Sequence, residues 1–586
     1  MPEPSELSRQ IDYLVIGGYL AMLLAVGFVL RRFNRDISDY FRSGCKATWW
    51  LIGASTFIQV FSAWTFTGAA GMAFESGWSV MILAAANAMG FFFNFLFLAP
   101  WFRQLRAITV AQVIEMRFGL ATQQFYAWLG IVLQLLYSGV HLYTLAIIVA
   151  TVFNFDISVV IVFVGAVVVI YSTIGGNWAV LATDFLQALI LVPLSALVAI
   201  LCLREVGGVG GLFEMIQVQG LSSDYRLFND PHRFDQKFTY VWAVALFLKQ
   251  AIGYNSMSVS ARYFAVKDGA AARKAALLAC VLMLISMFFW IIPPITARLL
   301  FAADVNAVDI QVPAEASFVV ASMKLLPLGL TGLMVVAMFA ATMSSTDTGL
   351  NRNAAIFTRD IFPLLWRLIR RSPLQSKTLL VLGKVYSLGF GCAIIAFALY
   401  FSKVEGKGVF EIVLDLGAML GLPLAVPMLL ALFLRRVPSW AAIASVVAGL
   451  FPSLVAFLSI EPWTFQQKVF TNMAASTVVF VGSALLWSTA SDRYRQKVNH
   501  FFKTMLTPVD FAKEVGQPND LSQLKIVGGF AVGIGLFICG LMVLPNPIDG
   551  RLSILFVGGF VLVVGLSLVL TGVFSKSSRH SGIDSK

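Results

Sequence analysis

An all-α polytopic membrane protein is the fold class this chain predicts, and three observations predict it. The 586 residues are 59% hydrophobic and 12% charged, with a mean hydropathy of +0.84, whereas a soluble domain carries roughly 25% charged residues. Apolar runs near the length that crosses a bilayer as a helix recur about fifteen times. Basic residues cluster in the short loops after odd-numbered runs, the alternation that the positive-inside rule imposes on a multi-pass chain.

In order, the runs are Tyr13 to Leu30, Trp49 to Ala73, Trp78 to Trp101, Phe125 to Phe153, Val159 to Ile174 and Ala179 to Leu203. Then come Val241 to Phe264, Ala275 to Leu300, Pro327 to Phe357, Thr378 to Phe401 and Val409 to Leu434. The last four are Ala441 to Ile460, Met473 to Ser488, Ile526 to Leu544 and Leu552 to Phe574. Arg31, Arg32 and Arg35 follow the first run, Arg103 and Arg106 the third, Lys267 and Arg273 the seventh, Arg359 and Arg367 the ninth, Arg435 and Arg436 the eleventh, and Arg493 and Arg495 the thirteenth. The N-terminus is therefore expected outside and the C-terminus in the cytoplasm, in a plasma (inner) membrane. The acidic start Met1 to Asp12 lacks a basic n-region, so the first run is expected to be retained.

Several function classes drop out on composition. The net charge of +12 sits in short clusters between apolar runs, which argues against nucleic acid as a partner. The five cysteines are scattered without metal or CxxC spacing and read as small hydrophobes. No nucleophile and base arrangement suggests an enzyme. The loop from Arg204 to Thr239 reads as a connector, with a gate-covering loop as the alternative, and the segment Ser491 to Lys525, with Phe501, Phe502, Met505 and Leu506 among basic residues, reads as an interfacial amphipathic helix. Pro293-Pro294 predicts a kink in the eighth run.

Polar residues at membrane depth point to the chemistry. In the ninth run Ala341, Ser344, Ser345 and Thr348 fall on one helical face, with Asp347 at its margin. A stripe of small oxygen-bearing side chains there suits a desolvated hard cation. The second run offers a break, where Gln59, Ser62, Thr65 and Thr67 lead into Gly68 and Gly71; the seventh offers another, at Lys249, Gln250, Gly253, Tyr254, Asn255 and Ser256. Paired broken helices in corresponding positions are the mark of an inverted-repeat transporter, with five helices per repeat. Asp184 sits inside the sixth run and needs a partner; packed beside the ninth it would face Ser344, Asp347 and Thr348, around a cation or a shared proton. Each of these has a plainer reading: packing serines, structural ion pairs for the two aspartates, and for Lys249 either neutralisation of Asp184 or Asp415 or contact with an anionic solute.

These residues resemble the sodium:solute symporter family, whose members share a leucine-transporter-like inverted-repeat fold. The motifs are Ser62-Ala63 with Gly68, Gly175-Gly176 through Thr183-Asp184 and Gln187, Arg262 closing the seventh run, and Ala341 through Ser344-Ser345, Leu350-Asn351 and Asp360-Ile361. The resemblance implies a sodium ion held by the carbonyls of Ile58, Phe61 and Ala341 and the hydroxyls of Ser344 and Ser345. It further implies a second cation or proton site at Asp184, Ser344, Asp347 and Thr348. Asp347 stands where a small or hydroxyl residue is more usual, and Arg352 replaces a small residue.

The expected plan is an outer N-terminus, first helix and basic inner loop over 1–48, a first five-helix repeat over 49–203, an outer loop over 204–239 and a second, inverted repeat over 240–434. Two peripheral helices (435–489), a cytoplasmic amphipathic segment (490–525) and two more helices with a short inner tail (526–586) complete it. The expected function is sodium-coupled symport of a small polar solute (sugar, sugar acid, amino acid or other organic anion), for which a monomer suffices, with no organic cofactor. Gln59, Ser62, Thr65, Lys249, Gln250, Tyr254, Asn255 and Asp415 are the candidate cavity residues. A proton-coupled transporter of the same fold and a non-transporting solute sensor are the alternatives.

Overall fold

The computed structural model describes residues 6–30, 42–172, 177–369, 376–404, 408–517 and 520–580, and within them it is helical, with no strand beyond one isolated bridge between Ala47 and Val266. Ten helices among the described residues are long and apolar enough to cross a membrane, and four shorter apolar helices accompany them. Helices dominate because a spanning chain must satisfy its backbone polar groups within itself.

After α1 (Glu6–Leu30), the second run forms three pieces in line: α2 (Trp49–Val60), α3 (Ala63–Phe66) and α4 (Gly68–Ser76). Next come α5 (Met81–Phe93), which continues through a π-turn into the helix Ala99–Gln104, the short α6 (Val110–Phe118) and the long α7 (Leu120–Phe153). The helix Ile157–Ser172 leads to α8 (Asn177–Glu205). The seventh run is α9 (Tyr240–Asn255), an extended Ser256, and a 3₁₀ stretch Met257–Ala265. Two long helices follow, α10 (Gly269–Leu300) and α11 (Leu330–Ile356). Pro293 and Pro294 lie inside α10, which runs on through both.

The eleventh run is α12 (Val409–Leu416), a π-turn Gly417–Gly421, and α13 (Leu422–Leu430). Outside this core stand Ala441–Leu458, α14 (Phe465–Gly482), α15 (Asp492–Leu506), and the mutually packed pair α16 (Asp520–Gly540) and α17 (Ile548–His580). Within the core α11 packs against α7, α8 and α1, and meets α2 and α3 beside the first break.

Two expectations change. The apolar face of α15 does not face lipid: Val498, Phe501, Phe502 and Met505 are buried against α6 and Ala99–Gln104. Buried Arg117 on α6 explains the docking, because it donates to Tyr494 of α15 at 3.0 Å and to the carbonyls of Ala431, Leu434 and Arg435 beyond α13. Arg106 likewise pairs with Glu514 at 2.7 Å, holding that carboxyl below its usual value. The loop 204–239 is also more than a connector: it holds the helix Gly208–Val218, Tyr225 donates to the Phe74 carbonyl at 2.7 Å, Asn229 to Ser79 at 2.6 Å, and Lys237 pairs with Glu411 at 2.6 Å. The ring of Tyr225 fills the space beside Gly77, where a side chain could not stand.

Candidate functional site

The first break forms because Phe61, at φ −85° and ψ 62°, turns the chain out of the helix and Ser62 is extended. The Ser62 amide thereby leaves the Ile58 carbonyl. Among the described residues no hydrogen bond ends on the carbonyls of Ile58 or Phe61, both of which belong to buried residues. Bare carbonyls inside a membrane protein are costly unless water or a cation meets them, and oxygen is the donor a hard cation prefers. The same break is tied to α11: the Ala63 amide donates to the Thr342 hydroxyl at 3.3 Å, and that hydroxyl donates to the Met338 carbonyl at 2.9 Å. Ala341, Ser344, Ser345, Asp347 and Thr348 follow or flank Thr342 on this helix, but their side chains, like Gly175 and Gly176, lie outside the described residues.

Asp184 is fully buried, and α8 does pack on α11. Its described partner is on α2, where the Ser55 hydroxyl donates to the carboxylate. Arg262, from the 3₁₀ stretch, donates to Ser55 at 2.5 Å, so a hydroxyl relays the guanidinium to the carboxylate. Ser55 was not singled out from sequence, although a serine in the run Gly53-Ala54-Ser55-Thr56 was a visible signal.

A narrow space opens beside the first break, lined among others by Phe61, Trp64, Thr65, Asn87, Met283 and Trp290. Ser62 and Thr65 are buried there, whereas Gln59 is exposed between buried Ile58 and half-buried Val60. Gln250 donates to Asn87 at 2.5 Å, which joins the second break to this wall. Asn255 spends its amide on the Gly90 and Ala251 carbonyls, at 3.1 and 2.7 Å, and Asn94 donates to the Tyr254 carbonyl at 2.6 Å. These bonds brace the end of α9 against α5, and the Tyr254 ring rests where Gly90 has no side chain. Asp415, expected in the cavity, pairs with Lys468 of the peripheral α14 at 2.6 Å.

Lys249 lies half-buried against the π-turn. A β-carbon on Gly417 would stand 2.5 Å from its Cε and 2.7 Å from its Nζ, and 3.3 Å from the hydroxyl of Tyr137 on α7. Asn87 and Tyr137 were missed from sequence; a lone asparagine in an alanine-rich run was a signal, a tyrosine among apolar residues was not.

Aromatic and polar contacts join the first break to the start of α12. Trp64 stacks on Phe410 with centroids 5.9 Å apart, and Phe410 also meets Phe238. Buried Glu315, in the 3₁₀ turn Pro313–Ala316, accepts the Val409 amide at 2.5 Å at the start of α12. It also presses on α4, where a β-carbon on Gly71 would lie 3.1 Å from its Cγ.

Comparison with known proteins agrees with this geometry. The chain is 26% identical over 531 residues to the sodium/myo-inositol cotransporter of Canis lupus familiaris, covering 82% of this chain and 72% of that protein. It is 23% identical to the sodium/sialic acid symporter NanT of Aliivibrio fischeri, covering 75% and 86%. The fold matches a Na⁺-coupled sialic acid symporter solved in a substrate-bound outward-open state, with a TM-score of 0.67 at 21% identity over 82% of this chain and 98% of that one. The profile of the sodium:solute symporter family matches residues 40–449. The chain thus belongs to the sodium:solute symporter family, integral multi-pass membrane proteins that couple sodium to the transport of small organic solutes and are not enzymes.

Proposed function

We propose that this protein imports a small polar organic solute with sodium by alternating access. The observation that carries the reading is the first break, where the carbonyls of Ile58 and Phe61, beside α11, take no hydrogen bond among the described residues. Sodium is held there by those carbonyls, the Ala341 carbonyl and the hydroxyls of Ser344 and Ser345. Asp184, Ser344, Asp347 and Thr348 form a second cation or proton site. Myo-inositol and sialic acid in the relatives' names, with the amides and hydroxyls of Asn87, Gln250 and Thr65 near one space, support a hydroxylated solute.

The basic end with α6 and α15 is cytoplasmic and the Glu315 end is outer, in a plasma (inner) membrane crossed fifteen times, with repeats over 49–203 and 240–434 and a monomer as the transporting unit. Sodium favours the outward-open state only by its differential affinity for it, and sodium and solute must raise each other's affinity equally. Uptake of labelled polyols, sugars and sugar acids into proteoliposomes, driven separately by sodium and by proton gradients, tests the reading. Sodium-driven accumulation is expected; accumulation that follows the proton gradient and ignores sodium refutes it.

A further inference from the structure

We propose that the transported solute is an anion, and that Lys249 is the counter-charge for its carboxylate. The proposal rests on the symporter reading and names the substrate class of that site.

Lys249 projects into the core between α9, α7 and the π-turn of the eleventh span, seven residues before the chain breaks at Ser256. Its amine lies against Gly417, where a β-carbon would displace it, and the Tyr137 hydroxyl lies at the same glycine. Its one described polar contact is the Gln250 amide oxygen at 3.5 Å, too long and too weak to balance an ammonium. The carboxylates of α12 and α8 have described partners of their own: Asp415 with Lys468, Glu411 with Lys237 and Asp184 with Ser55. Among the described residues no acidic group pairs with Lys249.

An ammonium inside a membrane protein needs a partner or an aqueous path to one. Lys249 is half-buried, and its neighbour Gln250 is joined to Asn87 on the wall of the space beside Phe61, Trp64 and Thr65. A carboxylate that reaches past Asn87 and Gln250 from that space would meet the Lys249 ammonium and the Tyr137 hydroxyl at Gly417. A neutral solute would leave the ammonium unpaired in the occluded state, which disfavours its binding.

The test compares matched pairs with the purified full chain in sodium: glucose with glucuronate, galactose with galacturonate, and N-acetylmannosamine with N-acetylneuraminate. Thermal shift and sodium-driven uptake are the readouts. Wild-type protein should respond to at least one acid at tenfold or more lower concentration than to its neutral partner. Lys249→Met should lose that preference while keeping its thermal stabilisation by sodium alone. Lys249→Arg, which keeps the charge, and Gly417→Ala, which displaces the amine, should weaken the acid without abolishing folding and serve if Lys249→Met does not fold. Binding of neutral partners equal to the acids, unchanged acid binding in Lys249→Met or Gly417→Ala, or no acid bound while sodium still stabilises overturns the proposal and leaves the symporter reading standing. Absence of any sodium effect overturns that earlier reading instead.

Discussion

Changing Glu315 to glutamine should remove the pH dependence of opening at the end of the bundle proposed above to be the outer gate. Glu315 sits on the loop between α10 and α11, outside the membrane spans, and links α4 to the amide end of α12. Burial, which outweighs the Val409 hydrogen bond and is reinforced by Glu411 and Glu75, lifts its carboxyl from 4.5 to about 8. Lys237, paired with Glu411, and Tyr143 are the other titratable groups on the elements around it. A carboxyl raised in the closed state favours closure when neutral; that contribution is whole below the ordinary value near 4.5 and is lost as pH climbs to about 8. With the ordinary value restored on opening, closure weakens by roughly 2 kcal/mol, about thirtyfold in the equilibrium, from pH 6 to pH 8. A single cysteine replacing Leu83 on the cavity wall, in a cysteine-depleted background, reports opening by its rate of reaction with an impermeant thiol reagent. The ratio of rates with and without Glu315→Gln cancels the cysteine's own titration and should rise at least tenfold across that range. A ratio that stays flat would falsify the assignment of Glu315 as the gate's titrating group.

Three further outcomes follow from named contacts. Ser344→Ala with Ser345→Ala should abolish stabilisation by sodium in a thermal-shift assay while the protein still folds, and full retention of the sodium effect would place the ion elsewhere. Asp12 of α1 accepts the Gly332 amide at 2.9 Å and so caps α11, whose own N-cap is Gly329 with no side chain to offer; Asp12→Ala should cost roughly 0.5–2 kcal/mol and weaken sodium affinity, with Asp12→Asn recovering part of both. Arg117→Ala strips donors from the carbonyls of Ala431, Leu434 and Arg435, so it should destabilise by at least about 2 kcal/mol and expose the buried face of α15 to proteolysis. An unchanged melting temperature for Arg117→Ala would contradict that anchoring role.

Much of the architecture was legible because hydropathy and backbone are directly coupled in a membrane. Runs near a bilayer's thickness must become helices, and the two places where polar residues interrupt them, at Ser62 and Ser256, are where the helices part. Ile58 and Phe61, which the family resemblance implied, lie just before the first of these breaks. What sequence could not assign was which long-range partner each polar side chain takes. Asp184 takes a hydrogen bond from Ser55, with Arg262 behind it, a pairing which no sequence motif marked; Asp415 turned to a peripheral lysine, and the amphipathic α15 found protein for its apolar face. Those choices depend on which helices become neighbours across hundreds of residues, which periodicity within one helix does not encode. By itself the sequence determined a multi-pass helical transporter with two broken spans; only the tertiary structure decided that Lys249 lies beside Gly417 and Tyr137, because a glycine at a π-turn far along the chain leaves room for the amine.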